Sequence, residues 1–170
     1  MSKKIMLLLL ALLVWIAPVD GVCTTAAYAS LGKLYETLHA TFPNRQAVEK
    51  RFGKEAEWSS KMLVSIHDDI SKYKQETMKY PGVKIQLVYF RSEILLHRID
   101  VQKGGLVPFL GIDIGSSKKD VIRRFGRPDR TEGGLLMYSE DDYLSISVLG
   151  ITIKNNKVSR MVYEEMFDAE

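Results

Sequence analysis

The sequence predicts an α+β protein built as two tandem units, each a short helix or helix pair followed by an antiparallel β-meander. Three observations lead there. The string RQAVEKRFGK at residues 45–54 lies over KKDVIRRFGR at residues 118–127, pairing Val48 with Val121, Arg51 with Arg124, Phe52 with Phe125 and Gly53 with Gly126; the offset is 124 minus 51, or 73. Without a gap, the same offset carries Asn44 onto Ser117, Met62-Leu63 onto Leu135-Leu136 and Asp68-Asp69 onto Asp141-Asp142, a register that chance matches would not hold. After each repeated string come runs rich in β-branched and aromatic residues, separated by turn-type residues.

An opening helix is expected over residues 31–40, where Leu31, Leu34 and Leu38, with Tyr35 beside them, share one stripe. In the second repeat Ser117 precedes Asp120 by three, the spacing of a capping box, and Val121, Ile122 and Phe125 recur on one helical face. Gly126 then offers a left-handed C-terminal cap and Pro128 prevents continuation. Strands are expected at 135–138, 143–153 and 158–163, with Asp141-Asp142 and Asn155-Asn156 between them. In the first unit the corresponding strands are 62–66, 83–90 and 94–101. The Lys-, Gln-, Glu- and Met-rich insertion that precedes Pro81-Gly82 reads as helical, with Ile70 and Tyr73 inward. The units divide as 30–104, with the insertion at 70–82, and 105–170.

The first 29 residues have a different character. Lys3 and Lys4 precede an apolar run from Ile5 to Ala17, and Ala27-Tyr28-Ala29 is a small-x-small site, so residues 1–29 read as a secretory signal peptide. The run stops at Pro18 and Asp20, short of the roughly 20 apolar residues needed to cross a bilayer. Cleavage there leaves 141 residues (170 minus 29), no cysteine and a net charge of +2, because Lys3, Lys4 and Asp20 are lost from the whole-chain +3. An exported periplasmic or secreted protein is expected, with membrane anchoring through Cys23 or an uncleaved N-terminal segment as the alternative. Asp20-Gly21-Val22 before Cys23 is a poor lipidation signal. Neither a disulfide scaffold nor a multi-thiolate metal site can be built from one cysteine.

The phrase Gly111-Ile112-Asp113-Ile114-Gly115-Ser116-Ser117-Lys118-Lys119-Asp120-Val121, running into Phe125-Gly126-Arg127-Pro128-Asp129 and ending around Asn155-Asn156-Lys157-Val158, resembles the small outer-membrane lipoprotein family of the barrel-assembly machinery. That fold is shared with tandem-repeat β-lactamase inhibitor proteins. The resemblance covers residues 111–163, and residues 41–101 only through the internal repeat. It implies protein binding without catalysis. The chain departs from the lipoproteins in having two repeats and a poor lipidation signal, and from the inhibitors in lacking disulfides; no binding residue carries over by motif.

The residues themselves point the same way. His39, His67 and His97 are isolated in sequence, with no His-Glu-x-x-His or paired-cysteine spacing. Ser116 and Lys119 form a Ser-x-x-Lys without its companion elements, and helix capping accounts for the serines. Gly104, Gly105, Gly111 and Gly115 miss the phosphate-loop spacing, and the Asp pairs miss the EF-hand spacing. No catalytic, cofactor or metal residue is therefore assigned. Two surfaces remain. Lys118, Lys119, Arg123, Arg124, Arg127 and Arg130 oppose only Asp120 and Asp129, a basic patch suited to anionic lipid headgroups or an acidic partner. Tyr138, Tyr143, Tyr89 and Trp58 are aromatic anchors on or near strands. With a charge too mild for a nucleic-acid binder and no interleaved aromatics in the basic stretch, nucleic acid is excluded as a partner. The expected function is an exported, non-enzymatic binding module for another envelope or secreted protein, of the envelope assembly or stress accessory type. The alternatives are a soluble inhibitor of a secreted or periplasmic enzyme and a lipid-anchored envelope protein.

Overall fold

The computed structural model describes residues 23–64, 72–141 and 145–167. Residues 1–22, most of the segment read as a leader, together with His67, Asp68, Asp69, Ile70, Asp142 and Tyr143, lie outside them. Three helices and eight strands follow in the order α1 (Cys23–Thr41), α2 (Arg45–Phe52), β1 (Glu57–Val64), β2 (Lys72–Tyr80), β3 (Val83–Phe90), β4 (Glu93–Val101), α3 (Lys118–Phe125), β5 (Arg130–Glu132), β6 (Leu135–Asp141), β7 (Ser145–Lys154) and β8 (Lys157–Phe167).

The repeated string folds twice into the same local structure. Asn44 and Ser117 are the N-caps, accepting from Ala47 N and Asp120 N, and Gly53 and Gly126 end the helices at φ 80, ψ −161 and φ 78, ψ −161. This is not the left-handed cap the sequence suggested. It is the extended positive-φ region that only glycine enters without strain, which is why glycine recurs there. The cap N–H groups donate to Glu49 O and Ile122 O, both at 2.8 Å.

The two-unit architecture is corrected above that level. All eight strands form one antiparallel sheet, in the order β1-β2-β3-β4-β8-β7-β6-β5. β4 and β8 join in the register Arg98↔Glu164 through Val101↔Met161, so the chain is one sheet and not two helix-plus-meander units. A single core cluster runs from Leu31 in α1 through Ile85 and Ile99 to Tyr163. The physical reason is the edge: four strands alone would leave β4 and β8 with unpaired backbone groups beside Ile99 and Tyr163, and pairing the two satisfies both.

The strands differ from expectation in two places. Residues 72–80 are a strand and not a helix, paired with β3 from Lys74↔Tyr89 to Tyr80↔Val83. Lys, Gln and Glu gave the stretch a helical composition, but Glu76, Met78 and Tyr80 alternate inward, and Pro81-Gly82, with Gly82 at φ 87, is the hairpin turn joining β2 to β3. The gapless offset also fails here: Met62 and Leu63 belong to β1, whereas Leu135 and Leu136 open β6, beyond the short β5 and the Gly133-Gly134 turn.

All three helices lie on one face of the sheet. Phe52 of α2 packs 5.1 Å from Tyr80, Phe125 of α3 packs 5.7 Å from Tyr138, and α1 spans α3, β6, β7 and β4 with Leu31, Leu34 and Leu38 buried. One row of that face shows the layout. Tyr138, Leu149, Tyr163, Ile99, Ile85, Met78 and Trp58 pair side by side across seven strands. All are fully buried except the last, Trp58, which is 45% exposed.

Candidate binding surface

Successive side chains alternate between the faces of a strand, so the registers assign each position to the helix-bearing or the helix-free face. Tyr138 is on the helix-bearing face, fully buried against Phe125, with its hydroxyl donating to Gly126 O at 3.2 Å. It is a core residue, which removes it as a surface anchor, and Tyr143 lies outside the described residues. Tyr89 is half-buried: its hydroxyl donates to Glu76 Oε2 at 2.7 Å and Lys74 Nζ sits 4.8 Å from its ring centre. Burial, reinforced by the Glu76 carboxylate, pushes the Tyr89 phenol far above its ordinary value. Burial alone would raise the carboxyl of Glu76 as well, but the hydrogen bonds from Lys74 and Tyr89 outweigh it and hold that group low. Of the three described, Trp58 is the exposed one, beneath the Arg45 guanidinium at 5.1 Å. The structure therefore does not gather Tyr138, Tyr89 and Trp58 into one exposed patch.

The basic stretch is divided. Arg123 pairs with Asp120 and Arg130 with Glu132 at 2.6 and 2.8 Å, while Lys119, Arg124 and Arg127 are exposed and Lys118 is half-buried. The Ser117 hydroxyl holds the Asp120 carboxyl below its usual range, so that acid stays ionised within the patch. A cavity of 340 Å³ lies beside it, lined by Gly111, Ile112, Ser116, Asp120, Arg123 and Arg124.

Beneath α1, a chain of polar groups runs from Ser147 through Tyr163 and Glu165 to His39, with Ser147 Oγ to Tyr163 OH at 3.3 Å and His39 Nε2 to Glu165 Oε2 at 2.9 Å. Burial, then the Glu165 charge, pushes the Tyr163 phenol up, against the opposing hydrogen bond of Ser147. Because Ser147, Tyr163 and Glu165 are buried, these contacts tie α1 to β7 and β8. His97 is at the β3–β4 bulge, its Nδ1 2.7 Å from Glu165 O. No group of three or more potential metal ligands occurs among the described residues, and no helix among them is long and apolar enough to cross a membrane.

The helix-free face carries a surface that the sequence reading missed. At its centre Arg98 Nη1 donates to Glu164 Oε2 at 2.5 Å, and Arg160 donates to both carboxylate oxygens of Asp100, from Nε to Oδ1 at 2.9 Å and from Nη2 to Oδ2. Towards the end of the sheet that holds the β3–β4 turn, the same face becomes apolar. Leu63 pairs with Tyr73, Val88 with Leu95, and Ile146 with Met166. Phe90 lies on this face too, with the Arg91 guanidinium 5.0 Å from its ring. Ile146 and Met166 are 36% and 47% exposed. A sequence signal existed: Leu87-Val88-Tyr89-Phe90 and Ile94-Leu95-Leu96 do not alternate, so those strands must put apolar groups on both faces.

Comparisons with known proteins add little. No protein-family model and no curated protein matches the chain. Among solved structures it is similar to a DUF4309 family protein (YjgB) from Bacillus subtilis subsp. subtilis str. 168, at 13% identity over 84% of this chain and 99% of that one, with a TM-score of 0.38. A likeness of that size carries no argument about fold or function.

Proposed function

We propose that the chain is an exported, non-enzymatic protein-binding module of the envelope assembly or stress accessory type, and that it holds its partner on the helix-free face of the sheet. The apolar groups of that face, with Ile146 and Met166 exposed, Leu63, Tyr73, Phe90 and Leu95 half-buried and Val88 buried among them, flanked by the Arg98–Glu164 and Asp100–Arg160 pairs, are the observation that supports this reading. An apolar centre with a polar, arginine-containing rim is the composition of a protein interface, and contiguous apolar groups on an open sheet face are costly to leave in water. The Lys3-Lys4 and apolar leader supports export.

The test is a photo-crosslinking residue placed at Met166 in intact cells, with the same residue at Thr131 on β5 as the control. The expected result is one envelope protein attached from Met166 and none from Thr131. Changing Ile146 and Met166 together to Asp removes the adduct and leaves the unfolding midpoint in place. Absence of any adduct from Met166, or an adduct that survives the double change, sinks the reading. An adduct with a secreted enzyme that the chain silences one-to-one assigns it to the inhibitor form.

A further inference from the structure

The sheet has two edges, and they are built differently. β5 has three residues, all exposed; Arg130 and Glu132 pair with each other, and Gly133-Gly134 ends the strand. A short, charged edge is how a sheet avoids pairing with another chain. β1 has less of that protection. It runs eight residues in unbroken register with β2, with no proline and no bulge, and its other side pairs with no strand among the described residues. Its only charges, Glu57 and Lys61, point to the helix-free face, while Trp58, Ser60, Met62 and Val64 point to the other. Trp58, Met62 and Val64 are 45%, 61% and 48% exposed.

We infer that β1 is the contact with a second copy of this chain, antiparallel about a two-fold axis through Ser60, joining two sheets edge to edge. This interface is separate from the band on the helix-free face. β1 is self-complementary in one register. Directly opposed residues must share a face, so a two-fold axis passes through a single residue. With the axis at Ser60, Trp58 of each copy meets Met62 of the other on the helix-bearing face, and Ser59 meets Lys61 on the helix-free face. Nearly all of β1, from Glu57 to Leu63, is then paired. An axis at Lys61 would set two ammonium groups against each other. Moving the axis to Ser59 would pair Glu57 with Lys61, but it would shorten the overlap and leave Met62 and Val64 without partners on β1. Of these three, only the Ser60 register sets Trp58 against Met62 and keeps the lysines from direct opposition, with Val64 left beyond the paired segment.

The test is sedimentation-based mass measurement and disulfide trapping of the chain as the cell delivers it, carrying Cys23→Ser. The expected mass rises from monomer to dimer over about 1–200 µM, the range of small interfaces. Met62→Lys, at an exposed position, should weaken the dimer at least tenfold with an unchanged circular dichroism spectrum. Ser60→Cys should form a disulfide-linked dimer under mild oxidant at least tenfold faster than Ser59→Cys, Lys61→Cys or Thr131→Cys. A monomer at every concentration overturns the inference. So does a dimer indifferent to Met62→Lys, or trapping that is fastest at any of the other three cysteines.

Discussion

The β5–β8 half of the sheet is closed and the β1–β4 half is open, although both begin from the same capped helix. Over the second half lies α1, with Leu31, Leu34 and Leu38 buried and Ser30 Oγ donating to Arg124 O of α3 at 2.9 Å. Over the first half α1 reaches β4 and α2 packs Phe52 on Tyr80, and the row then runs out into solvent at Trp58. Similar local sequence thus gives two capped helices of equal length, whereas the cover over the strands depends on α1, which lies mainly over one half. The open end follows from that asymmetry.

The sharpest break of this comparison uses the two ends of the shared row. Tyr138→Ala should cost about 3–5 kcal/mol in chemical denaturation, because it empties a buried aromatic site. Trp58→Ala, measured below the dimer range, should cost less than about 1 kcal/mol, as exposed positions do. Equal losses would mean the first half is as closed as the second.

A smaller effect tests the seam between the halves. Burial of Asp100 pushes its carboxyl up, yet the hydrogen bonds and charge of Arg160 outweigh burial and hold it below the ordinary 3.8. A depressed folded-state value means the unfolded chain binds more protons, so this contribution is complete above the carboxylate range and is lost as pH falls below 3.8. Arg160→Met should therefore cost about 1–2 kcal/mol at pH 7, discounted for the half-exposed arginine. The deficit should shrink once Asp100 is protonated in both proteins. A deficit that does not change with pH would show that the pair does not join the halves electrostatically.

The smallest effect compares the caps. Ser117 has a full capping box with Asp120, and Asn44 has only its bond from Ala47 N at 3.0 Å. Ser117→Ala should cost about 1–2 kcal/mol and Asn44→Ala about 0.5–1 kcal/mol. The reverse order in thermal unfolding would remove this local difference between the halves.

Much of the local structure was legible. The caps at Ser117 and Asn44, the glycine stops and the apolar stripe of Leu31, Leu34 and Leu38 rest on contacts within a few residues, so spacing alone exposes them. The β7–β8 turn was legible too: Asn155 and Asn156 adopt φ 50 and 61, a conformation asparagine tolerates. Lys72–Tyr80 was misread because Lys, Gln and Glu favour a helix when alone, and only β1 and β3 on either side make the stretch a strand. Tyr138 looked like an anchor because alternation tells which strand residues share a face but not which face the helices cover.

The sequence by itself determined the repeated helices, their ends, most strands of the second half and the signature of a leader, since each depends on near neighbours in the chain. Only the tertiary structure decided that β4 pairs with β8, that α1 lies over β6, β7 and β4, and that Trp58, Met62 and Val64 of β1 and Ile146 and Met166 of the helix-free face remain exposed. Those outcomes depend on partners distant in sequence, and the backbone groups and side chains of a strand are satisfied by whichever strand or helix comes to lie beside them.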